Sequence, residues 1–138
     1  MRVSQTHAVR PIGRVLSPLK HRADAPKQGY EGAPNARVRI EPAFRRGLDG
    51  IAPGQHLLIL TWLHQADRQV LAVHPRDDPS NPFTGVFATR SADRPNPIGV
   101  HRVKVLELES DGGLLVEGLE AIDGTPVIDI KVALKGEG

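Results

Sequence analysis

The stretch GVHRVKVLELE, Gly99–Glu109, decides how this chain folds. Val100, Arg102, Lys104, Leu106 and Leu108 interleave, imperfectly, with Val103, Val105 and the glutamates. That is a period of two, which predicts a strand with one face inward and one outward. Working outward from it, further apolar segments recur at fairly even spacing between turn residues. The pattern predicts strands over Pro11–Leu16, Ala36–Ile40, His56–His64, Val70–His74, Gly85–Thr89, Gly113–Leu119 and Pro126–Leu134. ILTWLH is β-branched and aromatic enough for a buried strand. Pro42–Ile51 is the one helix candidate, with proline at its start and Phe44, Leu48 and Ile51 on one face. With 14 Gly and 12 Pro in 138 residues, the chain spends much of its length on turns. Many short strands with Gly/Pro turns predict a mainly β fold, a barrel or sandwich with short helical additions.

Length and composition fit one domain, residues 1–138, with one real core. The absence of cysteine excludes disulfides, thiolate zinc sites and a cysteine nucleophile. The N-terminal MRVSQTHAVRPIGRV lacks the continuous apolar core of a secretory signal, and IAPGQHLLILTWLHQA is too short and polar to span a bilayer. These features predict a cytoplasmic protein with no membrane contact. Net charge is only +2, yet it is unevenly spread. Residues 1–50 hold ten Lys and Arg against four Asp and Glu, whereas residues 107–138 hold two against eight. A basic N-terminal third permits an anionic partner such as RNA, and equally permits a merely solvated surface.

Tests for familiar chemistry come back negative. Nothing fits GxGxxG, GxxxxGK[ST] or GxSxG, which argues against a Rossmann site, a P-loop and an α/β-hydrolase nucleophile. His64, His74, Asp77 and Asp78 match no metal-ligand spacing, so no metal is expected. Residues 20–34, KHRADAPKQGYEGAP, read as a long loop, and such loops in compact domains are often functional.

The most specific segment is GVFATRSADRPNPIG, Gly85–Gly99. Pro95 and Pro97 fix their own φ and push Arg94 and Asn96 towards extended backbone, so those two side chains can share a side. Arg90 follows the expected GVFAT strand and would emerge at a rim. Two readings stand: a rigid rim presenting guanidiniums and an amide to a carboxylate, phosphate or planar base, or a proline turn whose arginines cap carbonyls. A second segment, EAIDGTPVIDIK, places Asp129 among apolar residues, where an acid needs a partner.

Together these motifs resemble the TrmO (YaeB/TsaA-like) family. GVFATRSADRPNPIGVHRV is similar to the family's FATRSPxRPNPIG hallmark, PIGRVLSP to its first strand, and APKQG to its PRQ turn. QHLLILTWLHQ resembles its strand with two bracketing histidines, and GLEAIDGTPVIDIK its closing segment. The resemblance implies an S-adenosylmethionine-dependent methyltransferase on a single β-barrel, not a Rossmann sheet. It implies a homodimer with the cofactor near the subunit interface, and tRNA as partner. The implied acceptor is the exocyclic amine of threonylcarbamoyl-adenosine beside the anticodon. Implied cofactor contacts are Pro26, Lys27, Gln28, His64, Gln65, Arg90, Val100, Glu120, Ala121, Ile122 and Asp123. Lys27 departs from the family's arginine, Ala92–Asp93 from Pro–Phe, and Glu120–Ala121 from Asp–Leu. The resemblance is to the barrel domain, and no counterpart of the additional C-terminal domain of longer members is expected.

For such a transfer, Asp123 and Asp129 are the candidate proton acceptors, and Arg94, Asn96, Arg45 and Arg46 the candidate substrate contacts. Two alternatives share the cofactor: a methyltransferase with another acceptor, and a non-catalytic S-adenosylmethionine-binding regulatory module.

Overall fold

Alternating apolar positions become the inner wall of a closed barrel. The computed structural model describes residues 5–20 and 35–137. Its strands are β1 (Gly13–Leu16), β2 (Ala36–Ile40), β3 (His56–Trp62), β4 (Ala72–Val73), β5 (Thr84–Gly85), β6 (Ile98–Leu108), β7 (Gly113–Glu117) and β8 (Pro126–Val132). Six of them close in the order β1-β2-β7-β6-β3-β8, every neighbour antiparallel, while β4 and β5 pair separately. Of the barrel or sandwich that the alternation predicts, the closed barrel, the form the family resemblance implies, is the one formed.

β2 shows the rule most simply. In ARVRI, Ala36, Val38 and Ile40 are buried and Arg37 and Arg39 are exposed. The inward residues join Val15, Leu57, Ile59, Val103, Val105, Leu114, Val116, Leu119 and Val127 in one core. At about 25 cal/mol per Å² of apolar surface, burying each large side chain contributes roughly 1.5–3 kcal/mol. The outward arginines meet acids from the far end of the chain: Arg37 Nε lies 3.0 Å from Glu109 and Arg39 Nη2 3.0 Å from Asp111. The opposite charges of the chain's two ends are thus partly neutralised side by side on the barrel wall.

β6 is the longest strand and pairs with β3 along Ile98–Lys104 and with β7 along Lys104–Leu108. A register shift between Val105 and Glu107 inserts an extra residue there. This bulge is why the alternation of VHRVKVLELE is imperfect: the pattern changes phase where the strand changes partner.

Three expected elements differ. Gly85–Thr89 is not a strand; β5 ends at Gly85, and Val86–Ala88 forms a 3-10 turn. The Val86 carbonyl accepts from Thr89 N at 3.0 Å, Thr89 Oγ1 at 2.9 Å and Arg94 Nη2 at 2.8 Å. Three local donors on one oxygen out-compete a ladder partner. Val70–His74 shrinks to Ala72–Val73. The helix over Pro42–Ile51 is a 3-10 segment, Pro42–Leu48, still packing Phe44, Leu48 and Ile51 on the core. Ten residues containing Gly47 and Gly50 are too few and too flexible to sustain α-helix, and Gly50 leaves with φ 98.

Candidate functional site

A cavity of about 590 Å³ opens at one mouth of the barrel. Its wall is built from the exit of β3 (63–66), the segment 73–77, the loop 88–94, the first half of β6, and the turn 118–122 with Thr125. A second cavity, about 450 Å³, lies between the Pro42–Leu48 segment and β8, and half of its lining residues are aliphatic.

The loop after the 3-10 turn is stitched down rather than left mobile. Arg94 donates to the carbonyls of Val86 (2.8 Å), Ser91 (2.9 Å) and Thr89 (3.3 Å). Asp93, a departure from the family pattern, accepts the Asp67 backbone N–H at 2.8 Å. Arg68 donates to Pro95 O at 2.7 Å while its guanidinium lies 5.1 Å above the Trp62 ring. Leu63 N reaches Pro97 O at 2.8 Å. The prolines fix the path, and these bonds fasten it to the end of β3. On the opposite lip, Arg76 and Asp77 both take left-handed φ, 59 and 56, an arrangement non-glycine residues adopt only where the surroundings impose it.

Of the residues singled out from sequence, His64, Gln65, Arg90, Arg94, Val100, Glu120, Ala121 and Ile122 line the cavity together. Arg90 donates to Val100 O at 3.0 Å, tying the loop to β6. Arg94 lines the wall, but its guanidinium caps carbonyls, the second of the two readings. Asn96 lies off the cavity and accepts from Arg68 Nη2 at 3.3 Å. Asp123 is outside it too. Its Oδ1 accepts Ser17 N at 3.0 Å and its Oδ2 meets Lys20 Nζ at 3.1 Å, which hold its carboxyl below the usual range. Asp129 lines the other cavity, is exposed, and pairs with Lys131 at 3.7 Å. Arg45 and Arg46 sit on the Pro42–Leu48 segment, where Arg45 Nε donates to Ile40 O at 3.2 Å. Pro26, Lys27 and Gln28 lie outside the described residues.

The structure adds a group that sequence reading passed over. His101 points inward from β6 at 8% exposure and shares a 2.8 Å hydrogen bond, Nε2 to Oγ1, with the fully buried Thr61. Gly99 makes the room: a Cβ there would stand 2.5 Å from Thr61 Oγ1 and 2.8 Å from His101 Nε2. Burial, then the charge of Arg90, pushes the imidazole pKa down to about 4, so it is neutral at pH 7. The available signal was the alternation itself, which puts His101 in phase with Val103 and Val105.

A closed antiparallel barrel with one half-polar, half-apolar mouth cavity defines a small-molecule-binding barrel that uses no Gly-rich loop. Among the described residues no cluster of three metal-ligating side chains occurs, and no helix is long and apolar enough to cross a membrane. Sequence comparison then places the chain: the tRNA-methyltransferase O N-terminal domain profile matches residues 14–135, and the protein belongs to the TrmO family. It is 45% identical over 124 residues to a probable S-adenosyl-L-methionine-binding protein of Methanothermobacter thermautotrophicus, covering 89% of this chain and 87% of that one. It is 39% identical to a putative S-adenosylmethionine-dependent methyltransferase, RcsF, of Pseudomonas aeruginosa, covering 91% of this chain and 54% of that one. The crystal structure of TrmO from Pseudomonas aeruginosa superposes with a TM-score of 0.73 at 32% identity, over 94% of this chain and 57% of that chain. The chain therefore spans a little over half the length of that solved TrmO protein.

Proposed function

We propose that this protein is an S-adenosylmethionine-dependent methyltransferase whose acceptor is the exocyclic amine of threonylcarbamoyl-adenosine beside the tRNA anticodon. The observation that carries the reading is convergence. His64–Gln65, Arg90, Val100 and Glu120–Ile122 come from four separate stretches and line one cavity. Their chemistry suits the cofactor. Val100, Ala121 and Ile122 offer apolar surface to a purine, Glu120 a carboxylate to hydroxyls or an ammonium, and Arg90 a guanidinium to a carboxylate.

When bound, the cofactor supplies an electrophilic methyl group. The chain's own task is to bind and orient, because displacement at carbon needs reacting atoms about 3 Å apart and in line. Arg90, anchored on Val100 O, and the fastened loop 90–97 supply a wall that does not need to reorganise. The small, half-closed cavity limits water around the acceptor.

We further propose a homodimer that joins at this mouth. Ile98 and Val100, which line the mouth, and Phe87, next in sequence to the lining residue Ala88, support it, being 40%, 38% and 81% exposed, an unusual apolar outlay for a surface left to water. Light scattering of the purified protein should give twice the chain mass, and Phe87→Ser should lower it.

Calorimetry with S-adenosylmethionine tests the cofactor: no heat at high micromolar concentration removes the proposal. Mass spectrometry of tRNA nucleosides from a deletion strain tests the acceptor. Loss of methylated threonylcarbamoyl-adenosine is expected, and its persistence with no second enzyme to supply it would reject tRNA as substrate.

A further inference from the structure

Displacement on an adenine amine needs a group to take the amine proton, and neither Asp123 nor Asp129 lies at the cavity. Asp93 is held by Asp67 N. His101 lies in the cavity wall itself. Its Nε2 is engaged by Thr61, and among the described residues no hydrogen bond reaches Nδ1. An imidazole in the cavity wall with Nε2 engaged by Thr61 has its other nitrogen open to accept a ligand's N–H. Three residues are committed to the arrangement: Thr61 orients the ring, Gly99 forgoes a side chain to admit the pair, and His101 completes it.

We propose that His101 is the proton acceptor of the methyl transfer, receiving the amine proton on Nδ1 while Thr61 Oγ1 accepts from Nε2–H. The inference rests on the methyltransferase reading above. As the amine nitrogen bonds the methyl carbon, the carbon–sulfur pair returns to sulfur and the N–H proton passes to Nδ1. His101 becomes an imidazolium beside Arg90, which favours quick release of the proton to water. A weak base suffices, because the methylated nitrogen, bonded to both the purine and the carbamoyl carbon, is, while it keeps its proton, a far stronger acid than an imidazolium.

Nitrogen NMR of the full-length protein, labelled at histidine, tests this without any variant. At pH 7 the His101 ring should be the Nε2–H tautomer, and its Nδ1 resonance should move when an anticodon stem-loop bearing threonylcarbamoyl-adenosine is added with S-adenosylhomocysteine. A proton on Nδ1 in the free protein, or an unmoved Nδ1 resonance beside a bound RNA, overturns the proposal. In parallel, His101→Gln should lower kcat by about a hundredfold or more, the usual worth of a positioned base, with KM and cofactor Kd changed less than about threefold. Thr61→Ser should keep most activity and Thr61→Val lose it. A His101→Gln enzyme with near-normal kcat, or one whose loss lies wholly in Kd, also overturns it. Should the wild type leave that RNA unmethylated, the acceptor reading fails, and the free-protein tautomer still judges His101.

Discussion

Arg94 Nη2 holds the Val86 carbonyl at 2.8 Å, across eight residues of a loop that also forms the cavity wall. One guanidinium thereby links a buried valine, the turn that replaces the expected strand, and the rim. Arg94→Ala strands three loop carbonyls, and hydrogen bonds from a charged group are worth roughly 1.5–3 kcal/mol each where they are protected from water. We expect a stability loss of about 2 kcal/mol in urea unfolding, with Arg94→Lys recovering only part because lysine lacks the planar fork. Unchanged stability in Arg94→Ala would show the rim is held by its prolines alone.

Arg90 differs from Arg94 in having one recorded tie, to Val100 O, and an exposed head. Arg90→Ala should weaken S-adenosylmethionine binding by roughly ten- to a hundredfold, the worth of one charge-assisted hydrogen bond. Calorimetric titration reads this directly, and equal affinity for the two proteins rules out Arg90 as a cofactor contact.

Gly99→Ala puts a methyl where Thr61 and His101 meet. Overpacking of this kind costs about 1–3 kcal/mol. The expected result is a lower melting temperature, together with loss of the Thr61–His101 hydrogen bond. A variant as stable as wild type, with an unaltered His101 nitrogen spectrum, contradicts the packing described here.

Acid should destabilise the fold in a window set by His101. Its pKa falls from 6.5 to about 4 on folding, so between those values the unfolded chain binds more protons than the folded one. The stabilising contribution is complete above pH 6.5 and is lost as pH falls through 4, about 3 kcal/mol in all. Asp123 acts lower: its depressed carboxyl contributes stability above its unfolded value and loses it only in stronger acid. Unfolding free energy measured from pH 7 to 4 should therefore slope downward in wild type and flatten in His101→Gln. Parallel slopes in the two proteins would contradict a buried neutral imidazole.

Sequence reading recovered the mainly β fold because inward and outward positions alternate in ARVRI and, up to its bulge, in VHRVKVLELE; closure into a barrel came from the family resemblance. That reading failed at GVFAT, where composition favours a strand but donors from Thr89 and Arg94, three and eight residues on, hold the Val86 carbonyl in a turn. The same limit applied to Asp93. Its acceptance of Asp67 N depends on two loops meeting in space, which no local pattern encodes. The cavity-lining residues His64, Gln65, Arg90, Val100 and Glu120–Ile122 became readable only through the family motifs, since no common nucleotide signature is present. His101 was legible from strand phase alone, yet its chemistry depends on Thr61, which lies forty residues away in sequence and on the neighbouring strand.

The strand order β1-β2-β7-β6-β3-β8 has a consequence for how the chain is made. β8 pairs with both β1 and β3, so two sheet edges laid down early stay open until Pro126–Val132 has left the ribosome. A nascent or truncated chain ending before that strand would expose those two edges and an uncovered core, a template for pairing with other chains. The last complete strand thus acts as the latch of the barrel, and its release is the first place to look for aggregation.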